Sequence, residues 1–265
     1  GTDDEERWAT LPADRLLDAQ GAVAAAIRRE TGRSAFRPLV DGVHVLGDAA
    51  AAVRRARNDE RPLLLGSNAD EQRLHVNLRR PPPRDAAARR LALGLRARTE
   101  APEIVAHRAL EALEALHPRE TEAERLARAE TQLYYRLPAL ELARLRDGHG
   151  PSWNYLFRWP SPALRGRLGA CHALEIPFVF GTLDAPGMDR FAGTGPAAER
   201  LSTLMMDGWS AFARDGDPGA AVPGWRPWEP RRRTTWIADA EPACEDAPDE
   251  AERELWCRLL PELRC

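Results

Sequence analysis

The sequence predicts an α/β protein, in which a few buried strands alternate with amphipathic helices. Two short apolar runs, PLLLG at 62–66 and WNYLFRW at 153–159, have the length and bulk of strands. A third run, TTWIA at 234–238, is a further strand candidate. Long stretches rich in Ala, Leu, Arg and Glu at helical spacing lie between them. Three or four strands are few for a chain of 265 residues.

The first part of the chain predicts a helix, an extended segment and a strand. Residues 14–30 form the helix, with apolar side chains at positions 16, 17, 23 and 27. Residues 36–47 are expected to be extended, with a turn at Asp41-Gly42. The continuous apolar run 62–66 is typical of a strand buried on both faces, as in a parallel sheet. The loop Ser67–Glu71 follows it.

A helical block fills the middle of the chain. It begins after the proline-rich break at 81–84 and runs from Asp85 to Arg146. Thr121 and Glu124 have the spacing of a capping box, which predicts a helix start between them. Pro138 is expected to kink or break that helix, because proline lacks the amide hydrogen and clashes with the preceding turn.

The last hundred residues predict short strands and two further helices. The strand at 153–159 is followed by IPFVF at 176–180, which is predicted to be a buried strand or a strand-like turn. Residues 198–214 predict an amphipathic helix, and residues 249–260 predict the last one.

Composition excludes several classes of function. The net charge of -3 gives no electrostatic basis for nucleic-acid binding. The longest apolar runs are too short to cross a bilayer. The four cysteines have no CxxC spacing, so no structural zinc site is expected, although one disulfide among Cys244, Cys257 and Cys265 is possible. The opening GTDDEE lacks an initiating Met, which suggests a processed or incomplete chain.

One histidine and two carboxylates are candidates for chemistry. His172 lies in a loop between two strand-like runs, where a sheet can orient a loop residue. Asp70 and Glu71 follow the apolar run 62–66. A histidine that acts as a general base needs a carboxylate to orient its ring and to stabilise the imidazolium. The alternatives are a structural histidine and a solvated acidic turn.

Several segments resemble the type-B carboxylesterases, the family of cholinesterases and bacterial para-nitrobenzyl esterases. PLLLGSNADEQRL is similar to the acid loop of that family, and LGACHALEIPFVFGTLD is similar to its histidine loop. The segments FRPLVDGVHVLGDAAAAV, ETQLYYRLPALELA, WNYLFRWPSP and MMDGWSAFARDGDPGAAVPGWRPW resemble others. The resemblance runs in the order of the family from about residue 8 to residue 240.

The resemblance implies an α/β-hydrolase fold and ester hydrolysis by a Ser-Glu-His triad, with no metal or organic cofactor. Glu71 matches the acid and His172 the base, and Asn68, Asp70 and Glu175 match the motifs that support the two loops. Gln72 departs from the family, which usually has Gly there. The expected architecture is one partial domain over 1–265, with a helical insertion at about 84–147 between the acid and histidine loops. Tyr134 and Tyr135 in that insertion are candidates for the substrate pocket.

The nucleophile has no counterpart in the sequence. The six serines are Ser34, Ser67, Ser152, Ser161, Ser202 and Ser210, and none lies in a Gly-x-Ser-x-Gly elbow. The Gly-rich segment that forms the oxyanion hole is absent too. We therefore expect a companion chain or segment to supply both, a small carboxylic ester to be the substrate, and the sheet to expose an unpaired strand edge.

Two alternatives stay open at this point. A compact hydrolase could use Ser67, which follows the buried strand with small residues at Gly66 and Ala69, although Leu65 stands where an elbow needs a small residue. A non-catalytic, hydrolase-like module could serve in binding or assembly, although the presence of both Glu71 and His172 argues against that role.

Overall fold

A computed structural model describes residues 10–31, 35–36, 38, 40–47, 49–56, 60–76 and 78–263. The chain divides into two compact units, Gly1–Ala52 and Val53–Cys265. The expectation of a single partial domain over 1–265 stays a prediction.

The first unit contains the predicted N-terminal helix, α1 (Ala13–Thr31). The turn predicted at Asp41-Gly42 is present, because Asp41 Oδ1 accepts the backbone N–H groups of residues 43, 44 and 45 at 2.8–2.9 Å. The predicted extended segment 36–47 forms no strand in its described residues, and residues 37 and 39 lie outside them. A second helix, α2 (Ala49–Arg55), follows.

A four-stranded sheet forms the centre of the second unit. Its strands are β1 (Leu63–Asn68), β2 (Ser152–Phe157), β3 (Thr235–Ala238) and β4 (Ala243–Glu245), in that spatial order. β1, β2 and β3 are parallel, and β4 is antiparallel to β3. The mostly parallel sheet with helices confirms the predicted α/β class. The polar strand β4, which lacks an apolar run, was not predicted.

The burial of β1 differs from the prediction of a strand buried on both faces. Its first four residues are half-buried, and only Ser67 and Asn68 are buried. The physical reason is its position at the end of the sheet, where its only neighbour among the described strands is β2. The predicted strand edge is therefore open within the described part of the chain.

The helical block between β1 and β2 has the predicted extent. It comprises α3 (Arg84–Leu95), α4 (Pro102–Leu116), α5 (Glu122–Thr131) and α6 (Leu137–Leu145). The capping box at the start of α5 is confirmed, since Thr121 and Glu124 exchange side chain–backbone hydrogen bonds. Pro138 does not break the helix. Instead, a π-helical segment at Gln132–Arg136 precedes it, in which the Leu137 N–H donates to the Gln132 carbonyl. A wider turn is one way for a helix to continue through a proline.

The prediction of a strand or strand-like turn at 176–180 is wrong. Residues Ile176–Val179 form one helical turn, α7, with Pro177 in its first turn. Proline fits the first turn of a helix but removes a donor from a strand, and apolar content alone does not separate the two structures. Phe178 is fully buried and packs against Phe157 of β2, with 5.3 Å between ring centroids.

The remaining helices are α8 (Met188–Phe191), α9 (Pro196–Asp215) and α10 (Glu250–Leu259), and the last two confirm predicted helices. Short 3-10 turns lie at Glu71–Leu74, Ala163–Gly166, Pro218–Ala220 and Pro261–Leu263. Tryptophans fill the core beside the sheet, and the rings of Trp225 and Trp236 stack 4.7 Å apart. Cys257 is disulfide-bonded, whereas Cys171 and Cys244 are free thiols.

Candidate active site

The acid loop begins where β1 ends. After Asn68 the chain turns into the 3-10 segment Glu71–Leu74. This turn directs the Glu71 side chain back toward the end of β1. Glu71 is only 5% exposed, and its Oε1 accepts the backbone N–H of Asn68 at 2.8 Å. Burial raises the pKa of the Glu71 carboxyl, while the Asn68 N–H and His172 oppose that rise.

His172 meets this carboxylate from the loop that follows β2. Its Nδ1 lies 2.6 Å from Glu71 Oε2, and its backbone N–H donates to the Glu71 carbonyl at 3.3 Å. The carboxylate only accepts, so Nδ1 carries the hydrogen and Nε2 holds the lone pair. The side chain is 45% exposed, and Nε2 has no hydrogen-bond partner among the described residues. A histidine held in this way presents a basic nitrogen at the surface.

The Asn68 side chain holds the histidine loop through two hydrogen bonds. Its Nδ2 donates to the Cys171 carbonyl at 2.8 Å and to Glu175 Oε2 at 2.5 Å. One amide side chain therefore holds the backbone carbonyl just before His172 and the carboxylate of Glu175 just after it.

Asp70 joins the acid loop to the histidine loop at a second point. Its Oδ2 accepts the Ala170 N–H at 3.0 Å, and its Oδ1 pairs with Arg73 Nε at 2.8 Å. The contact requires a glycine at 169, where a Cβ would lie 2.2 Å from Asp70 Oδ2. The structure thus brings together all five residues that the motifs indicated, Asn68, Asp70, Glu71, His172 and Glu175, and their roles stay predictions.

The two pocket candidates separate in the structure. The Tyr135 ring lies 5.6 Å from the His172 ring, and its hydroxyl accepts from Gln72 Nε2 at 3.4 Å. Tyr134 instead faces Gly94 of α3, where its Oη would be 2.1 Å from a Cβ. Only Tyr135 therefore borders the histidine.

Sequence reasoning missed His75, whose ring centroid lies 5.7 Å from that of His172. His75 is exposed and lies four residues after Glu71, at the end of the 3-10 segment. The spacing gave no signal for it, because a 3-10 turn brings residues three apart, not four apart, onto one face. Gln72 departs from the family pattern, and the sequence gives it no role. Its backbone N–H donates to Thr131 Oγ1 at 3.1 Å, so it ties the acid loop to α5.

None of the five described serines bonds to His172. Ser67 and Ser152 have buried hydroxyls without a partner among the described residues. Ser161 and Ser202 donate to the carbonyls of Phe191 and Phe178, and Ser210 is exposed on α9. Ser34 lies outside the described residues.

The described ranges hold neither a cluster of metal ligands nor a membrane-spanning helix. Within them, no set of three or more His, Cys, Asp or Glu side chains is placed to hold a metal ion. Likewise, none of their helices combines the length and the apolar character that crossing a membrane requires.

The fold defines an α/β hydrolase, in which Glu71 and His172 meet in the loops that follow two neighbouring parallel strands. Residues 6–256 match the carboxylesterase family, and the chain belongs to that family.

Known proteins of the same kind are similar over almost all of the chain. The para-nitrobenzyl esterase of Bacillus subtilis (strain 168) is 28% identical over 254 residues, which are 95% of this chain and 48% of that protein. A solved PNB esterase structure superposes with a TM-score of 0.72 at 25% identity, covering 94% of this chain and 49% of its own. A Geobacillus stearothermophilus carboxylesterase gives a TM-score of 0.70 at 28% identity, covering 97% and 51%. The chain therefore spans about half the length of these relatives.

Proposed function

We propose that this chain supplies the acid and the base of a carboxylic ester hydrolase. The nucleophilic serine and the oxyanion hole then come from a companion chain or segment outside these 265 residues. The proposed substrate is a small carboxylic ester, in keeping with the para-nitrobenzyl esterases that the chain resembles. The observation that carries the proposal is the Glu71–His172 hydrogen bond of 2.6 Å, with Nε2 left available.

In the proposed reaction His172 accepts and returns a proton in each of two stages, acylation and deacylation. The serine hydroxyl attacks the ester carbonyl and gives its proton to Nε2, and the resulting imidazolium is stabilised by Glu71. The imidazolium then protonates the departing alcohol, which leaves an acyl-serine. Water attacks the acyl group in the same way, and the acid product and the free serine result.

The open edge of β1 supports the companion segment. An apolar strand with a free edge is a ready site for another strand. A parallel strand added there would end beside Glu71 and His172, because the carboxyl ends of parallel strands lie at one edge of the sheet.

The geometry argues against Ser67 as the nucleophile. Its hydroxyl is buried within β1 and makes no hydrogen bond to His172. A nucleophile must lie within hydrogen-bond reach of its base and of the substrate.

The experiment compares His172→Gln and Glu71→Gln with the parent protein, all expressed from the complete gene, on para-nitrophenyl acetate. We expect His172→Gln to lower kcat by about 10³-fold or more and Glu71→Gln to lower it by a smaller factor, because loss of the acid of a triad costs less than loss of the base. His107→Gln, an exposed histidine on α4, is the matched control and should hydrolyse the ester normally. Undiminished hydrolysis by His172→Gln would refute the proposed role of His172 as the base.

A second measurement tests the origin of the serine. A fluorophosphonate probe labels activated serines, and mass spectrometry locates the tag. A tag within a Gly-x-Ser-x-Gly sequence outside these residues is the expected result. A tag on Ser67 would overturn the proposal that a companion segment supplies the nucleophile.

A further inference from the structure

A cavity of about 300 Å³ lies beside helix α6, apart from the candidate active site. Much of its wall is apolar and consists of Leu137, Leu140, Trp228, Pro230 and Leu263. The other lining residues are charged, namely Glu141, Arg144, Arg233 and Arg253. None of these residues belongs to the acid loop, to the histidine loop or to β1, whose open edge is proposed to receive the companion segment.

The carboxylates around this cavity are already paired with arginines. The pairs are Arg233–Glu250 at 2.7 Å, Arg253–Glu250 at 2.5 Å, Arg98–Glu141 at 4.0 Å and Arg258–Glu254 at 3.8 Å. One carboxylate, that of Glu250, therefore serves two arginines. With Arg144 added, these residues comprise five arginines and three glutamates, so positive charge is in excess.

Arg144 is the arginine of this wall that has no counterion. Within the described residues no carboxylate lies within 4.0 Å of its guanidinium, and Glu141, one turn earlier on α6, is next to Arg98 instead. The Arg144 Nε–H is buried, but the two terminal nitrogens keep accessible surface and make no hydrogen bond in the same part of the chain. Arginine keeps its charge across the physiological pH range. The wall therefore offers one accessible guanidinium beside apolar side chains.

From this geometry we infer that the cavity binds an apolar monocarboxylate, such as a medium-chain fatty acid, with Arg144 as the anchor of the carboxylate. A guanidinium donates two parallel hydrogen bonds to a carboxylate, and its terminal nitrogens are the atoms that remain accessible here. The apolar body of the ligand packs against Leu140 and Pro230. Glu141 in the wall disfavours a second negative charge on the ligand. Sites for small molecules measure about 300–1,000 Å³, so this cavity suits a ligand at the small end of that range.

The site is independent of ester hydrolysis, and its test needs no turnover. The protein is expressed from its complete gene and treated with a fluorophosphonate, so that octanoate cannot bind as a product beside the proposed nucleophile. Isothermal titration calorimetry with sodium octanoate at constant ionic strength then measures binding. We expect saturable binding, and a titration without saturation would overturn the inference. Failure of the fluorophosphonate to react would count against the proposed function alone, because substitution of Arg144 identifies the octanoate site.

Two related probes separate the charge of the ligand from its apolar body. Octanamide has the chain of octanoate without its charge, and acetate has the charge with almost no apolar surface. Each should bind about tenfold more weakly than octanoate, or weaker still, because the first loses the ion pair with Arg144 and the second loses the buried chain. Equal affinity for octanamide and octanoate would overturn the assignment to a carboxylate, and equal affinity for acetate would overturn the apolar body.

Arg144→Met should weaken octanoate binding by about tenfold or more, since a hydrogen-bonded ion pair is lost. Arg89→Met, which changes an exposed arginine on α3, should bind octanoate as the parent protein does. Equal affinity of the parent protein and a folded Arg144→Met would overturn the inference. If Arg144→Met does not fold, intermolecular NOEs between octanoate and methyl-labelled Leu140 in the parent protein decide, because their absence overturns the inference equally.

Discussion

The contact between Gly169 and Asp70 provides a quantitative test of how the acid loop and the histidine loop are joined. Gly169 has a φ of +56°, and a Cβ there would lie 2.2 Å from Asp70 Oδ2. Gly169→Ala therefore imposes two costs. One is the strain of an alanine in the left-handed region, and the other is the displacement of a carboxylate that holds the Ala170 N–H.

Each of these two costs has its own expected free energy. An L-residue in the left-handed conformation costs about 1–2 kcal/mol. Loss of a hydrogen bond to a charged group costs about 1.5–3 kcal/mol, and the partial exposure of Asp70 favours the lower end. We expect Gly169→Ala to lower the free energy of unfolding by about 3 kcal/mol. In an active assembly, a shift of His172 by about 1 Å would lower kcat by about 100-fold.

Gly148→Ala is the matched control, because Gly148 has a φ of +80° with nothing within 4 Å of its Cβ position. It should lose about 1–2 kcal/mol from backbone strain alone. Urea unfolding of the parent and both variants, followed by tryptophan fluorescence, measures the difference. Equal losses in the two variants would refute a stabilising contact between Asp70 and the histidine loop.

Two further predictions concern titration and thiol reactivity. Burial raises the pKa of Glu71 in the folded state. The stability that Glu71 contributes is therefore complete below its ordinary pKa of 4.5, and it is lost as the pH rises through the pKa of the folded state. The unfolding free energy of the parent minus that of Glu71→Gln should therefore fall as pH rises from 4.5, and urea titrations that show it rising would contradict this sign. Burial also raises the pKa of Cys171 to about 11, so under native conditions iodoacetamide should label half-buried Cys244 well before fully buried Cys171. Faster labelling of Cys171, detected by mass spectrometry, would contradict its burial.

The sequence was informative where local chemistry determines structure. Three of the four strands, the capping box at Thr121 and the long helices follow from periodicity and caps, which act over a few residues. The family motifs indicate the pairing of Glu71 with His172, although the two lie 101 positions apart in the chain. Sequence spacing alone does not show that Glu71 and His172 are close in space, because their proximity depends on the parallel alignment of β1 and β2.

The errors occurred where tertiary packing decides. The run 176–180 is buried as predicted at Phe178, but as a helical turn, because burial of an apolar run is compatible with either structure. Tyr134 and Tyr135 were indistinguishable in the sequence. Which of them faces His172 depends on the rotation of the helix that carries them.

The π-helical segment before Pro138 connects these observations. Proline removes one helical hydrogen bond, and the wider turn at Gln132–Arg136 accommodates that loss without ending the helix. Within the same five residues, Tyr135 approaches His172 and Arg136 lines a polar cavity behind the acid loop. Because the extra residue of a π-turn rotates every side chain beyond it, a regular α-helix through this stretch would not orient both side chains as they are seen here. A local irregularity that the sequence marks only as a proline therefore places one aromatic ring beside the proposed base and one charge behind the acid loop.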